Sequence, residues 1–313
     1  MESNKQTINW LLYHEPVDLF LRTAEAFSKE IAELTDGRIS INVYTQAEYA
    51  DKFNNGVIHN PKSLLESNQV QMSQFQMKDL GHSYSPDFFA LELPFLFKTH
   101  EHATSVLEGE IGKGMLNSLA KKTPVKGLAF TYSGGYRVIV SNREITAVED
   151  FKGMRMNLKA ANPIFLEMAK SLGCDVSVLS EDSQNCDTVQ TTLPRYQTEC
   201  DASVHKYVVN TQHSMYLTTI IINNDFWNTL SVSDQLAMQT AALNSSRLER
   251  EWTVQDSEKI ENSEEERTRL GISKMYGLSD NESEKFRNCV TPVYDKFKMA
   301  FTPGLVDAIR NTH

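Results

Sequence analysis

The strongest constraint on the fold lies near the N-terminus, where the sequence has the pattern of a strand, a helix and a second strand. Residues 10–13 are an apolar, strand-sized run, and the sequence His14-Glu15-Pro16 after it is typical of a helix start. An apolar stripe with spacings of three and four follows, formed by Phe20, Ala24, Phe27, Ile31 and Leu34. Asp36-Gly37 ends this helix, and residues 39–43 then alternate between apolar and polar side chains. This β-α-β unit predicts an α/β fold.

Similar patterns continue along the chain and indicate more than one domain. Residues 125–131 are predicted to form a strand that ends at a turn, Tyr132-Ser133-Gly134-Gly135, where the chain crosses between domains. Residues 188–199 are predicted to be helical and residues 200–204 to form the next strand. From 234 to 269 neither glycine nor proline interrupts the sequence, which predicts a helix long enough to run through both domains.

Composition excludes several classes of protein. The formal net charge is −10 and the pI is about 5.4, which argues against a nucleic-acid-binding protein, because such proteins carry a basic surface. No stretch approaches the roughly 18 apolar residues that a membrane-spanning helix needs. The first residues contain no basic segment followed by an apolar one, so the expectation is either a cytosolic protein or a secreted one whose signal peptide is absent from this sequence.

Sequence motifs for catalysis are weak. The glycine-rich nucleotide motifs, the nucleophile elbow and the zinc-protease motif are all absent, which favours a protein without a cofactor. His100 and His102 form a lone pair of metal-ligand type without a third ligand at helical spacing, and Cys186 with His205 is a conceivable thiol and base. Cys174 and Cys186 either form a disulfide across a short loop or are buried thiols.

Polar side chains at the ends of predicted strands are the candidates for ligand binding, since α/β folds place their ligands there. These candidates are His14, Glu15, Gln74, Gln76, Arg137, Asn157 and His205. Each also has a purely structural alternative. Glu15 favours a helix start, Gln74 and Gln76 suit a solvated strand face, and His205 suits a hydrogen-bonded core position.

Several motifs, taken in this order and spacing, resemble one family. They are Thr35-Asp36-Gly37-Arg38-Ile39, Leu93-Pro94-Phe95-Leu96-Phe97, Gly135-Tyr136-Arg137, Glu149-Asp150-Phe151-Lys152-Gly153 and Trp227-Asn228-Thr229-Leu230. The chain resembles, over nearly its whole length, the extracytoplasmic solute receptors of tripartite ATP-independent periplasmic (TRAP) transporters, of the dicarboxylate-receptor type.

The resemblance implies a two-domain periplasmic-binding-protein clamshell, with a central mixed sheet flanked by helices in each domain. The expected boundaries are residues 1–132 with 214–257 for domain I and 133–213 with 258–313 for domain II, with the ligand cleft between them. It further implies a periplasmic monomer without catalytic activity or cofactor, which closes on one small polar metabolite by a hinge motion and delivers it to the membrane permease. The alternative is that the receptor delivers its signal to a sensor kinase instead of delivering its ligand to a permease.

The resemblance also suggests site residues, with one departure from the family pattern. Members carry an arginine that pairs with a ligand carboxylate where this sequence has Asn157, whereas Arg137 matches the family's second arginine. Tyr136 and Glu181 are further candidates, and His205 falls where the family often has a ligand-binding asparagine. Family habit and Arg137 favour an organic acid as ligand. Asn157 favours an uncharged or cationic solute, such as a polyol, an amine or a zwitterion.

Overall fold

The computed structural model describes residues 5–14, 17–157, 162–176 and 186–313. Contacts divide the chain into two compact units, each built from three segments of the sequence. Unit 1 comprises Met1–Ser85, Thr104–Ser133 and Leu217–Trp252, and unit 2 comprises Pro86–Ala103, Gly134–Tyr216 and Thr253–His313.

The strands are β1 (Gln6–Leu12), β2 (Ile39–Thr45), β3 (Met72–Gln76), β4 (Val125–Ser141), β5 (Met156–Asn157), β6 (Thr188–Thr192), β7 (Tyr207–Val209), β8 (Met215–Asn223) and β9 (Lys274–Tyr276). The helices are α1 (Val17–Leu34), α2 (Gln46–Phe53), α3 (Pro61–Glu66), α4 (Met77–Ser83), α5 (Asp87–Ala90), α6 (His100–Glu108), α7 (Glu110–Lys122), α8 (Pro163–Ser171), α9 (Tyr196–Glu199), α10 (Asn224–Thr229), α11 (Val232–Asn262), α12 (Glu264–Leu270), α13 (Asp280–Phe297) and α14 (Leu305–Arg310).

The mixed sheet of unit 1 confirms the predicted β-α-β unit. Strand β1 pairs in parallel with β2 and β3, β3 pairs antiparallel with β8, and β4 follows β8 in the strand order. Phe20, Ala24, Phe27 and Ile31 of the α1 stripe pack on this sheet, and the Phe27 and Trp10 rings meet edge to face at 5.2 Å between centroids. Leu34, which was predicted to belong to the stripe, is exposed at the end of the helix. Gly37 ends the helical segment with a φ of +72°, a conformation that costs glycine little.

Strand β4 corrects the predicted turn, because it runs without a break from Val125 to Ser141 and contributes to both units. Gly134 and Gly135 lie inside the strand with φ angles of +122° and +73°. A Cβ on Gly134 would lie 2.0 Å from Oγ1 of Thr192, so only glycine allows β4 to approach β6 this closely. The glycine pair therefore serves a close strand contact rather than a chain reversal.

The sheet of unit 2 is also mixed. Strand β6 pairs antiparallel with β4 and parallel with β5, while β7 pairs antiparallel with β4 and parallel with β9. The helix predicted for residues 188–199 is wrong, since residues 188–192 are strand β6 and only short helical turns follow. The strand predicted for residues 200–204 is also wrong, because that segment is a loop and the next strand begins at Tyr207.

The long helix that was predicted to run through both domains is α11, which has 31 residues and includes the division between the two units. The hydroxyl of Ser231 accepts the backbone N–H of Asp234 at 3.1 Å and caps its start. The helix ends at Asn262 instead of residue 269, because Ser263 caps the separate helix α12. No helix of the described residues is both long and apolar enough to span a membrane.

The compact units differ from the predicted domain boundaries by a few residues at positions 133, 214–216 and 253–257. The larger difference is at residues 86–103, which were assigned to domain I but belong to unit 2 by their contacts. The Tyr294 hydroxyl donates to the carbonyl oxygen of Pro94 at 2.6 Å, and the ring of Phe95 meets the ring of Phe286 edge-on. These contacts attach the segment to α13, which lies some 200 residues further along the chain. Sequence proximity to domain I was therefore a poor guide.

Candidate solute-binding site

Three predicted site residues lie in unit 1. His14 is buried after β1, and its Nδ1 lies 2.9 Å from the side-chain amide nitrogen of Gln76. The amide nitrogen of Gln74 donates to Oγ1 of Thr218 at 2.7 Å and to a carboxylate oxygen of Glu249 at 2.8 Å. Gln74 is therefore part of a buried hydrogen-bond network and not of a solvated strand face.

Two predicted candidates, Glu15 and Glu181, lie outside the described residues. Asn157 is almost completely buried in the two-residue strand β5, where it is the partner of Val189. That position is three residues along β6 from Thr192, which is the partner of Arg137. Asn157 and Arg137 are therefore contributed by different strands of the sheet of unit 2.

His205 is fully buried in unit 2, and its contacts bear on the alternative of a thiol enzyme. Its Nε2 lies 3.0 Å from the backbone carbonyl oxygen of Cys186, and its own carbonyl oxygen accepts the Tyr196 hydroxyl at 2.7 Å. The imidazole therefore faces the Cys186 backbone. Cys174 and Cys186 are both buried in the described part of the chain, and no disulfide joins them.

Tyr136 lines a cavity of about 370 Å³ in unit 2, together with residues of α6 and α11. Its ring meets the ring of His100 at 4.9 Å between centroids. His102, by contrast, accepts the backbone N–H of Lys98 at 3.1 Å and lies 2.8 Å from the carbonyl oxygen of Ile309. Among the described residues, no three His, Cys, Asp or Glu side chains are grouped so that they could hold a metal ion.

Arg137 is the predicted site residue with the most unusual surroundings. It lies in β4, is 7% exposed, and its Nη2 is 3.5 Å from Oε1 of Glu92. The other oxygen of Glu92 accepts from the side-chain amide of Asn162 at 2.5 Å, while the Asn162 carbonyl oxygen caps helix α8. Burial lowers the pKa of the guanidinium from its ordinary value, and the charge of Glu92 opposes this effect.

Aromatic rings cover the faces of the Arg137 guanidinium. Its central carbon lies 4.7 Å from the centre of the Phe165 ring and 4.2 Å from that of Tyr216. A second buried guanidinium, from Arg195, lies 4.4 Å from the same Tyr216 ring and forms a 3.0 Å ion pair with Glu199. Two arginines and two carboxylates thus form a buried cluster in which the formal charges balance.

Several buried polar atoms near Arg137 have no hydrogen-bond partner among the described residues. They are Nε of Arg137, Oγ1 of Thr192, both amide atoms of Gln190, and Oγ of Ser214. Thr192 is the strand partner of Arg137, and Gln190 lies two residues further on the same face of the sheet. The carbonyl oxygen of Ser214 accepts the backbone N–H of Arg137 at 2.8 Å. Folded proteins rarely leave such atoms unsatisfied, so this cluster has the character of a binding site.

His213 contributes a neutral ring to the same region. Burial, together with the positive charge of Arg137, lowers its pKa to about 3. Its Nδ1 lies 2.7 Å from Oγ1 of Thr211, and its Nε2 has no hydrogen-bond partner in the described part of the chain. The ring therefore adds no charge to the cluster near neutral pH.

Sequence reasoning missed most of these neighbours. Gln190 and Thr192 were hidden by the helix predicted for their segment, although four of the five residues from Thr188 to Thr192 are β-branched, a signal that favours a strand. Arg195 and Glu92 carried no signal that set them apart from other charged residues. Their burial comes from contacts that join distant parts of unit 2.

Comparison with known proteins places the chain in a family. Residues 13–300 match the family described as "Bacterial extracellular solute-binding protein, family 7". The chain belongs to this family. Its members bind small molecules and work with the membrane permease of a TRAP transporter, and they are receptors, not enzymes. The predicted family and the absence of catalytic function are thereby confirmed.

Named relatives and solved structures agree. The C4-dicarboxylate-binding periplasmic protein DctP of Rhodobacter capsulatus is 25% identical over 291 residues, which are 90% of this chain and 84% of the relative. The sialic acid-binding periplasmic protein SiaP of Vibrio cholerae is 22% identical over 293 residues, or 88% of this chain and 83% of the relative. A sugar acid binding protein from Advenella mimigardefordensis, solved with galactonate, matches with a TM-score of 0.82 and 20% identity, covering 99% of this chain and 98% of that chain. The structural likeness confirms the predicted fold class.

Proposed function

We propose that this protein is the periplasmic receptor of a TRAP transporter, and that it binds one small hydroxy or sugar acid around Arg137 and delivers it to the membrane permease. The observation that carries the proposal is the set of unsatisfied buried polar atoms around this guanidinium. A ligand that supplies partners to all of them stabilises the protein, because an unmade buried hydrogen bond costs roughly 1–3 kcal/mol.

The chemistry of these atoms favours a polyhydroxy acid. Arg137 Nε is a donor that suits a carboxylate oxygen, while Thr192 and Ser214 offer hydroxyls and Gln190 offers an amide, each able to donate and accept. A sugar acid carries one carboxylate and several hydroxyls in a comparable arrangement. The names of two relatives support the class, since they bind sialic acid and galactonate, whereas the C4-dicarboxylate of a third relative shares only the carboxylate.

A zwitterionic or uncharged polyhydroxy solute is the second candidate. One observation favours it: Glu92 and Glu199 already balance the charges of Arg137 and Arg195, so the cluster presents no excess positive charge to an anion. Asn157 also replaces the charged residue that is expected at its position. The two candidates differ in whether the ligand needs its carboxylate.

We also infer a hinge motion on binding. Strand β4, strand β8, helix α6 and helix α11 each contribute residues to both units, so the chain passes between the units within these four elements and once more between Ser85 and Pro86. A ligand with higher affinity for one relative arrangement shifts the population toward it. His14, Gln76 and Asn157 remain proposed ligand contacts, and small-angle X-ray scattering with and without ligand tests the motion.

The decisive experiment is isothermal titration calorimetry with galactonate, succinate, N-acetylneuraminate, galactitol and glycine betaine, on the wild type and on Arg137→Met. Arg155→Gln is the matched control, since Arg155 lies in unit 2 and its side chain is 44% exposed in an ion pair with Asp187. Binding of an acid that Arg137→Met abolishes and Arg155→Gln retains supports the proposal. Equal affinities of Arg137→Met and wild type for the same acid would overturn it, and binding of galactitol or betaine alone would select the second candidate.

A further inference from the structure

A second cavity, of about 380 Å³, lies entirely within unit 1 and contains none of the predicted site residues. It is bounded by the end of α6, by α7, by the first half of β4 and by α11. Its volume is within the range of small-molecule pockets, which is roughly 300–1,000 Å³. Its lining combines an apolar wall with an unusual group of charges.

The apolar wall comes from leucine side chains of α6, α7 and α11, including Leu107, Leu116 and Leu243. Leu116 lies directly against β4, because a Cβ built on Gly127 would be 2.5 Å from its Cδ2. Gly127 thus lets α7 lie close to the strand at this point. The wall can accommodate an aliphatic group without exposing it to water.

The charged side of the cavity carries excess positive charge. Arg247 and Arg250 both bind one carboxylate, Glu108, at 2.6 Å and 2.5 Å. Burial alone would raise the pKa of Glu108. Arg247 and Arg250 stabilise its anion more strongly, so that the net effect is a pKa below the ordinary value. The three side chains together keep one positive charge in a protein whose net charge is −10, and Lys113 lines the same cavity.

Arg250 also has an unmade hydrogen bond. It is 7% exposed, its Nη1 binds Glu108, and its Nη2 donates to the carbonyl oxygen of Phe130 at 2.8 Å. Its Nε is buried and has no hydrogen-bond partner among the described residues. A charged donor of this kind is costly to leave unsatisfied, and an oxygen anion is the partner that suits it best.

We propose that this cavity is a second ligand site, which takes a small carboxylate with an aliphatic tail. The carboxylate pairs with the Arg247 and Arg250 side, and the tail lies against Leu107, Leu116 and Leu243. The ligand class differs from the polyhydroxy acid proposed for the Arg137 site, because this cavity offers an apolar wall. The site therefore stands independently of the proposed transport function.

Saturation-transfer NMR and calorimetry with hexanoate test this site, with acetate as the probe that lacks the tail and hexan-1-ol as the probe that lacks the charge. Hexanoate is expected to bind at least ten-fold more tightly than either. Arg247→Gln combined with Lys113→Gln should weaken hexanoate at least ten-fold, and both side chains are more than half exposed, so the fold should survive. Arg250→Lys, which keeps the charge but removes the guanidinium with its Nε donor, should weaken it as well.

Two variants separate this site from the one in unit 2. Arg137→Met should bind hexanoate as the wild type does, and Arg155→Gln should do the same. Loss of hexanoate binding in Arg137→Met would place the probe at the unit 2 site and overturn the proposal. Equal binding of hexan-1-ol, no effect of the double variant, or no saturation transfer from hexanoate would each overturn it too.

Discussion

Each unit contains a buried cluster built around one charged side chain, and the two clusters are satisfied to different degrees. In unit 1 the charge belongs to Glu249, which is completely buried and accepts from Thr23, Gln74 and Ser133 at 2.7–3.0 Å. In unit 2 it belongs to Arg137, which has one long contact to a carboxylate and a free Nε among the described residues.

This difference indicates that the Glu249 cluster stabilises the fold and that the Arg137 cluster binds a ligand. Around Glu249 both carboxylate oxygens accept hydrogen bonds from neutral groups on separate elements of unit 1, so the network holds these elements together. Around Arg137 several buried polar atoms have no partner among the described residues, so they can hydrogen-bond with a molecule that binds there. We therefore expect changes at Glu249 to alter stability without altering ligand affinity, and changes around Arg137 to lower ligand affinity.

Glu249→Leu should have the largest effect. The substitution removes the carboxylate that accepts from Thr23, Gln74 and Ser133, and each lost buried hydrogen bond costs roughly 1–3 kcal/mol. The free energy of unfolding should fall by about 4 kcal/mol in a urea titration. The ligand affinity of the folded fraction should stay within two-fold of wild type, and a larger change would show that the Glu249 network also shapes the binding site.

The pH dependence of stability should report on Glu249 directly. Burial raises its pKa to about 7, while the hydrogen bonds from Thr23, Gln74 and Ser133 oppose the rise. Because the folded pKa lies above the unfolded one, its contribution is fully present below pH 4.5 and declines as the pH rises through 7. At about 1.4 kcal/mol per unit, this loss reaches about 3 kcal/mol. Glu249→Gln should remove this loss. The free energy of unfolding, measured from pH 4.5 to 8, should therefore fall more steeply with pH in the wild type than in the variant. Parallel slopes would contradict the assignment.

Arg137→Met should lower ligand affinity, in contrast to Glu249→Leu. Methionine keeps an unbranched side chain between Phe165 and Tyr216 but removes the donors for a ligand carboxylate. We expect a loss in affinity of about 100-fold, or about 3 kcal/mol, since truncating one partner of a buried charge pair costs roughly 2–5 kcal/mol. Calorimetry measures the affinity, and Arg155→Gln controls for the loss of a positive charge from unit 2. Wild-type affinity for the ligand in Arg137→Met would contradict the functional assignment.

The two clusters also differ in how far the sequence predicts them. Arg137 was predicted as a site residue because it lies in a recognisable motif, Gly135-Tyr136-Arg137. Glu249 was not, because nothing within α11 distinguishes it from solvated glutamates; its partners Thr23 and Ser133 lie 226 and 116 residues away. Local periodicity predicted the β-α-β unit, and the absence of glycine and proline from residues 234–269 predicted the long helix. Neither pattern could predict which polar residues of distant segments share one buried environment, since that depends on tertiary contacts.

Thr192→Val should have the smallest effect, and it is the most direct test of the unsatisfied atoms. Valine has nearly the shape of threonine, so the substitution removes a buried hydroxyl that has no partner among the described residues. The variant should therefore unfold at a slightly higher temperature than wild type, by an amount equivalent to less than about 1 kcal/mol. It should also bind the ligand about five-fold more weakly, because valine has no hydroxyl to hydrogen-bond with the ligand. Thr188→Val is the matched control in the same strand: its hydroxyl already donates to the carbonyl oxygen of Val140 at 2.8 Å, so its loss should lower stability and leave affinity unchanged. If Thr192→Val raises stability and Thr188→Val lowers it, the Thr192 hydroxyl makes no hydrogen bond in the folded protein and is available to a ligand. Equal losses of stability in both variants would mean that the Thr192 hydroxyl already has a partner in the folded protein.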